Sequence, residues 1–194
     1  PIYRELLWKP NYFSLKNDME EYREMLRGKK ISALFNEALL FYNSGNFVDK
    51  FVIAFYPIPL RAKMSNARSI GLFESVGVLV GEKNKKHRLG VIFHELCHGL
   101  YETQSMLFQN TLEYWFQQNS SLYTKFARNY FDEVLATSLG NGVLIERIDK
   151  IDTGKWYEDD KIDTMARNVY SEVKKYLNDK KTLDKEFIDF YIDQ

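Results

Sequence analysis

The sequence predicts an α+β fold, and three observations predict it. Continuous apolar runs of the kind that form strands are confined to one stretch, from Phe51 to about Val80. Helical periodicity fills the chain on both sides of it. Glycine and proline are scarce, 10 and 4 in 194 residues, while aromatics reach 15%, which suits long helices around an aromatic core better than a turn-rich sandwich. The length predicts a single domain, 1–194: a helical segment over 1–48, a small mixed sheet and one central helix over 49–104, and a helical remainder over 105–194. Such a chain buries roughly 70% of the surface it exposes unfolded, enough for a core without disulfides.

Each element has its own signal. Leu15, Met19, Tyr22 and Leu26 fall at helical spacing, with Ser14 as a candidate N-cap and Gly28 as a stop. A second helix is expected from Ser32 to Asn43. Phe51 to Tyr56 is an unbroken apolar run closed by Pro57 and Pro59, as in a buried strand. Ser69–Phe73 and Ser75–Val80 are two further β-rich runs, with a reversal expected near Glu74. Gly81 to Arg88 is a basic stretch, expected to be a solvated loop rather than a binding patch. After it Leu89, Ile92, Phe93, Leu96 and Leu100 mark one face of a helix. Further helices are expected over Met106–Gln118 and Leu122–Leu139, the latter stopped by Gly140-Asn141-Gly142. Two more are expected near Lys161–Leu177 and Leu183–Ile192.

Composition excludes some functions. Lys plus Arg and Asp plus Glu both number 27, so the chain lacks the cationic excess that nucleic-acid binding requires. The longest apolar run falls well short of the roughly 20 residues of a membrane span. Cys97 is the single cysteine, so no internal disulfide forms; it is read as a packing residue, with a redox-sensitive or inhibitory thiol as the other reading. The first residues carry no basic stretch followed by an apolar run, which slightly favours the cytoplasm and leaves export open.

The informative stretch is Val91-Ile92-Phe93-His94-Glu95-Leu96-Cys97-His98-Gly99. Four residues of helix advance about 400°, so His94 and His98 stand about 40° apart and one turn along the axis. Both imidazoles can reach one ion at about 2.0–2.1 Å, the zinc–nitrogen distance. Glu95 is rotated by about 100°, badly placed to ligate that ion and well placed to reach a water on its open side. That is the position of a general base. The competing reading is a pair of histidines making polar contacts inside a helix bundle.

A catalytic zinc needs a third protein ligand. His87 is the remaining histidine, but on the same helix it lies seven residues, about 10.5 Å, from His94, too far to share an ion. Glu133 is the best candidate: Ala136, Thr137 and Gly140 follow it at i+3, i+4 and i+7, a small-residue face that lets its helix approach closely. Asp132, rotated by about 100°, is the runner-up.

His94-Glu95-Leu96-Cys97-His98 followed by Glu133-x-x-Ala136 resembles the gluzincin type of zinc metallopeptidase. The resemblance covers the layout of residues 50 to 140, but only two short motifs in letters. It implies a zincin-like fold, one Zn2+ per chain held by His94, His98 and Glu133, Glu95 as the base, and a peptide or protein substrate. Two departures stand out. Thermolysin-like members carry an acidic residue four positions after the glutamate ligand to orient a histidine, whereas here that position is Thr137, so the orienting acceptor must come from elsewhere. The Gly-x-Met-Glu-Asn signature of related aminopeptidases is absent. Tyr157 and Tyr170 are candidates for the group's electrophile by residue type alone.

The alternatives are distinct. A zincin-like domain could bind metal without turnover. A di-iron oxidase would need a second Glu-x-x-His pair, for which no histidine remains. A mononuclear iron site shares the ligand types, but Glu95 fits zinc hydrolysis better. The segment Asn66–Phe73 is expected to be an edge strand at the rim of the metal cleft, open to an extended peptide. An interior strand paired on both sides is the other reading.

Overall fold

The computed structural model describes residues 2–45, 50–59, 67–150 and 154–194. The chain opens with a continuous helix from residue 2, in which a π-helical turn, Arg4–Trp8, leads directly into α1, Lys9–Leu26. Ser14 therefore lies inside this helix instead of capping it. The first turns escape a periodicity reading because Ile2, Leu6 and Phe13 are exposed and mark no buried face. The wide π turn sits just before Pro10, which has no N–H to give to the turn behind it. Helix α1 stops just before Gly28, as expected. Gly28 then opens α2, Lys29–Phe41, three residues earlier than Ser32.

Among the described residues three strands form one sheet in the order β1-β3-β2. β1, Val52–Ile58, runs parallel to β3, Phe73–Leu79, and β2, Ala67–Ile70, pairs antiparallel with β3. β1 was expected to be buried and to end before Pro57. It is instead an outer strand, half-exposed at Val52, and it runs through Pro57, which an outer strand tolerates because one of its edges forms no ladder. β2 and β3 form a hairpin around Gly71-Leu72. Gly71 has φ 55°, the conformation glycine supplies at the first central position of such a turn. The reversal thus lies before Glu74, which sits within β3 opposite Ile53 and Ser69 with its side chain fully buried.

α3, Lys85–Glu102, is the pivot of the molecule. Asn84 caps it, its side-chain oxygen accepting from the His87 N–H at 3.2 Å, so half of the expected basic loop is the first turn of this helix. Ten of its eighteen residues are buried. One side meets β2 and β3 and the other meets the helical half. Gly99 permits the sheet-side contact: a Cβ there would lie 2.6 Å from the Gly71 carbonyl oxygen.

α4, Met106–Gln118, is capped by Ser105. α5, Thr124–Thr137, continues through a π-helical segment, Ser138–Leu144, into α6, Ile145–Ile148. Gly140-Asn141-Gly142 was expected to stop this helix and does not. Its glycines serve close packing, because the space that a Cβ would take at Gly140 is filled by the backbone of α3. α7, Asp160–Asn178, and α8, Lys185–Ile192, begin at the carboxylate caps Asp159 and Asp184. They close an aromatic core in which Phe41, Phe116, Phe131, Tyr176, Phe187 and Tyr191 meet mostly edge to face. Buried residues from Leu15 to Ile192 belong to one cluster. Among the described residues no helix is long and apolar enough to cross a membrane.

Candidate metal centre

α3 carries His94 and His98 one turn apart, and their rings meet edge to face with centroids 4.7 Å apart. Their Nε2 atoms converge to 3.0 Å. Glu133, on α5, completes the group: Oε1 lies 3.0 Å from His94 Nε2 and Oε2 lies 3.5 Å from His98 Nε2. Two ligand atoms each about 2.0–2.1 Å from a tetrahedral zinc lie about 3.4 Å apart. The three separations bracket that value, and the donor set of two imidazole nitrogens and one carboxylate oxygen suits zinc. Among the described residues these three side chains form the cluster that could hold a metal ion. His87, exposed on the first turn of α3, is not part of it.

Gly140 brings the two halves of this group together. A Cβ there would lie 2.6 Å from the His94 backbone nitrogen and 2.7 Å from the Gly90 carbonyl oxygen. The small-residue face that pointed to Glu133 is therefore a backbone-to-backbone contact between α3 and the widened turns after α5. A π-helical turn adds a residue to the ring and re-aims the side chains around it, which is why such turns recur at functional sites.

Asp132, the runner-up ligand, has a different part. Its Oδ2 lies 2.8 Å from His98 Nδ1, so Nδ1–H donates to the carboxylate and leaves Nε2 free to face the metal position. This is the orienting acceptor missing at Thr137, whose buried hydroxyl has no hydrogen-bond partner. It comes from the residue just before the glutamate instead of four residues after it.

The electrostatics agree with the geometry. Burial works against a charged His98, but the bonded Asp132 carboxylate, with Glu133 and Glu95 nearby, outweighs it and lifts the imidazole to about 9. Burial also opposes an ionised Glu133, yet its bond with His94, the charges of both imidazoles and a bond with the Tyr157 hydroxyl bring it down to about 2. A cation held by this group would meet an ionised carboxylate and would displace a proton from His98.

The cleft in front of this group has a volume of about 810 Å³. Glu95, half-buried, lines it beside the three ligands. Tyr157 lines it too, its ring stacked on His94 at 5.8 Å and its hydroxyl bonded to Glu133. Tyr170 is elsewhere, bonded to Glu146 at 2.6 Å. Ala67 brings β2 to the rim as an edge strand. Asn66, at the start of the expected rim segment, lies outside the described residues. Arg88 walls the cleft, its Nε and Nη2 donating to Glu82 at 3.0 and 2.9 Å. Cys97 is fully buried, and burial pushes its thiol up, as suits an inert packing residue.

Sequence reasoning passed over Glu74. Its carboxyl is fully buried on β3, neither oxygen has a hydrogen-bond partner, and burial first, then the charge of Glu95, raises it well above the usual carboxylate range. An isolated Glu between β-rich runs carries no sequence signal for this, because the strand register that turns it inward is set by the Gly71 turn. Comparison with family models, with curated proteins and with solved structures finds no match, so the fold stands as mixed α+β with a three-stranded sheet and the site stands on its own geometry.

Proposed function

We propose that this chain is a zinc-dependent metallopeptidase with a zincin-like arrangement of the gluzincin type. The observation that carries the reading is the convergence of His94, His98 and Glu133 at ligand-to-ligand separations, with Glu95 on the same cleft and not among the ligands. Zinc held by these three would polarise a peptide carbonyl and bring a water's pKa down to about 7.

Each residue then has one task. Asp132 holds His98 in the tautomer whose Nε2 faces inward. Glu95 takes a proton from the water that attacks the scissile carbonyl and passes it to the leaving amine nitrogen as the C–N bond breaks, so the carboxylate is regenerated. Tyr157, whose hydroxyl bonds Glu133, would turn its O–H to the charge that develops on the carbonyl oxygen. β2 presents an outer edge to which an extended peptide adds through main-chain bonds, whatever its side chains.

The test is Glu95→Gln. Glutamine keeps the shape of glutamate and cannot accept a proton at neutral pH. The variant is expected to keep its zinc and to lose peptide hydrolysis by at least about 100-fold, the low end for a general base. Wild-type turnover in that variant would remove Glu95 from the mechanism.

A further inference from the structure

The metal cleft does not end at the metal. At His87, Asn141, Lys155 and Trp156, which line both spaces, it adjoins a second chamber of about 300 Å³. The two spaces differ in charge. Around the metal position carboxylates prevail: Glu95, Glu133, Glu158 and the Glu82 that neutralises Arg88. The second chamber is lined by Lys86, Lys150 and Lys155 against a single carboxylate, Asp149. Lys86 pairs with Asp149, and Lys155 with Asp160 outside the chamber. Both pairs are largely exposed, so each contributes little and either lysine can turn to another carboxylate. Asn84 and the first turn of α3, whose free N–H groups carry partial positive charge, form one wall.

Asn141 lines both spaces. Its Nδ2 donates to the Trp156 carbonyl, which fixes the amide, and its buried Oδ1 has no hydrogen-bond partner. The spacing fits an extended peptide. His87 precedes His94 by seven residues, about 10.5 Å of helix, which is the span of about three extended residues.

We infer that the second chamber is the subsite for a substrate carboxylate, so that the peptides this chain takes carry a free carboxylate about three residues from the bond to be cut. The inference rests on the peptidase reading and adds a substrate class to it. Lys86 and Lys150, which line the chamber, face the carboxylate. The carboxylate is that of the chain end or of an acidic side chain, and one experiment separates the two.

Three peptides are titrated calorimetrically into the Glu95→Gln protein, with zinc and without: acetyl-tetraalanine with a free C-terminus, the same peptide amidated, and amidated acetyl-Ala-Ala-Ala-Glu. The free acid is expected to bind about two- to fivefold more tightly than its amide, the difference expected of contacts with exposed lysines. The Lys86→Ala/Lys150→Ala variant, altered at two exposed positions, is expected to lose that preference. If the glutamate peptide matches the free acid, the chamber takes any carboxylate; if it matches the amide, the chamber takes chain ends. Equal binding of all three, no binding by any, or a preference that survives in the double variant overturns the inference. Hydrolysis by the wild-type protein is scored separately. Carboxylate preference without cleavage would remove the peptidase reading and leave the subsite standing, and cleavage indifferent to the carboxylate would do the reverse.

Discussion

The two helices that build the metal group do so by different means. α3 is a regular helix, and its contribution is local: the same four-residue repeat that buries Leu89, Phe93 and Leu100 sets His94 and His98 on one side, and any regular helix with those letters would bring the two together. The stretch from α5 through the π segment contributes Glu133 and Asp132 by tertiary fit. Those carboxylates reach the imidazoles only because Gly140 lets one backbone lie on another, at a point where the helix has widened to seven residues of π geometry. Half of the site is thus guaranteed by periodicity and half by a close contact, and the second half is the fragile one.

The most severe way to break the comparison is therefore at Gly140. A Cβ there meets the backbone of His94 and Gly90 below 3 Å, and backbone cannot rotate away. Gly140→Ala is expected to lose about 3 kcal/mol of stability or to misfold, the upper range for overpacking, with the metal site lost too. Gly45→Ala is the control: nothing lies within 4 Å of the added Cβ, so no steric cost is expected. Thermal unfolding of the two variants checks this. Equal stability would mean that the two helices are not held by that contact.

A smaller effect comes from pH acting on the contact between the two helices. In the metal-free protein the imidazole of His98 is raised to about 9 by the α5 carboxylates despite its burial. A raised histidine stabilises fully below its unfolded value of about 6.5 and loses that stabilisation as pH climbs through about 9, a change of roughly 3 kcal/mol. Glu133 is lowered to about 2, so its share is complete above its unfolded value, about 4.3, and is lost as pH falls through about 2. Both come from the same interactions and are not added. Denaturant unfolding of the metal-free chain is expected to show highest stability between about pH 4.5 and 6.5 and a decline toward pH 9 that Asp132→Asn largely removes. A flat profile in the wild type would mean that His98 and Asp132 are not coupled.

Asp132→Asn also sharpens the comparison in the metal-bound protein. Removing an orienting carboxylate from a metal-binding histidine costs typically about 10–100-fold in affinity. The loss is expected here at fixed ligands, measured by competition with a zinc chelator at pH 7. Unchanged affinity would mean that α3 alone orients His98.

The same division explains what could be read in the sequence. The pairing of His94 with His98 is legible because a helix turns spacing into geometry. Glu133 is legible because small residues beside it announce a close approach. Asp132 was seen only as a lesser ligand, since its bond to His98 Nδ1 depends on how two helices are set against each other and not on spacing within either. Gly140-Asn141-Gly142 looked like a stop because glycine ends helices and also lets them touch, and letters alone do not separate the two uses. Pro57 misled in the same way, because proline ends a central strand and is tolerated in an outer one such as β1. Lys86 and His87 read as solvated loop, yet Asn84 caps a helix there and turns them onto the chamber beside the metal cleft.

The central claim is that His94, His98 and Glu133 hold one metal ion together, one half from each helix. Elemental analysis of chains loaded with zinc and then dialysed tests it most directly, on the wild type, Glu95→Gln, His98→Ala and Glu133→Ala. The account predicts one zinc per chain in the wild type and in Glu95→Gln, and far less than one in His98→Ala and Glu133→Ala. Full zinc occupancy in Glu133→Ala, at wild-type affinity, would contradict it.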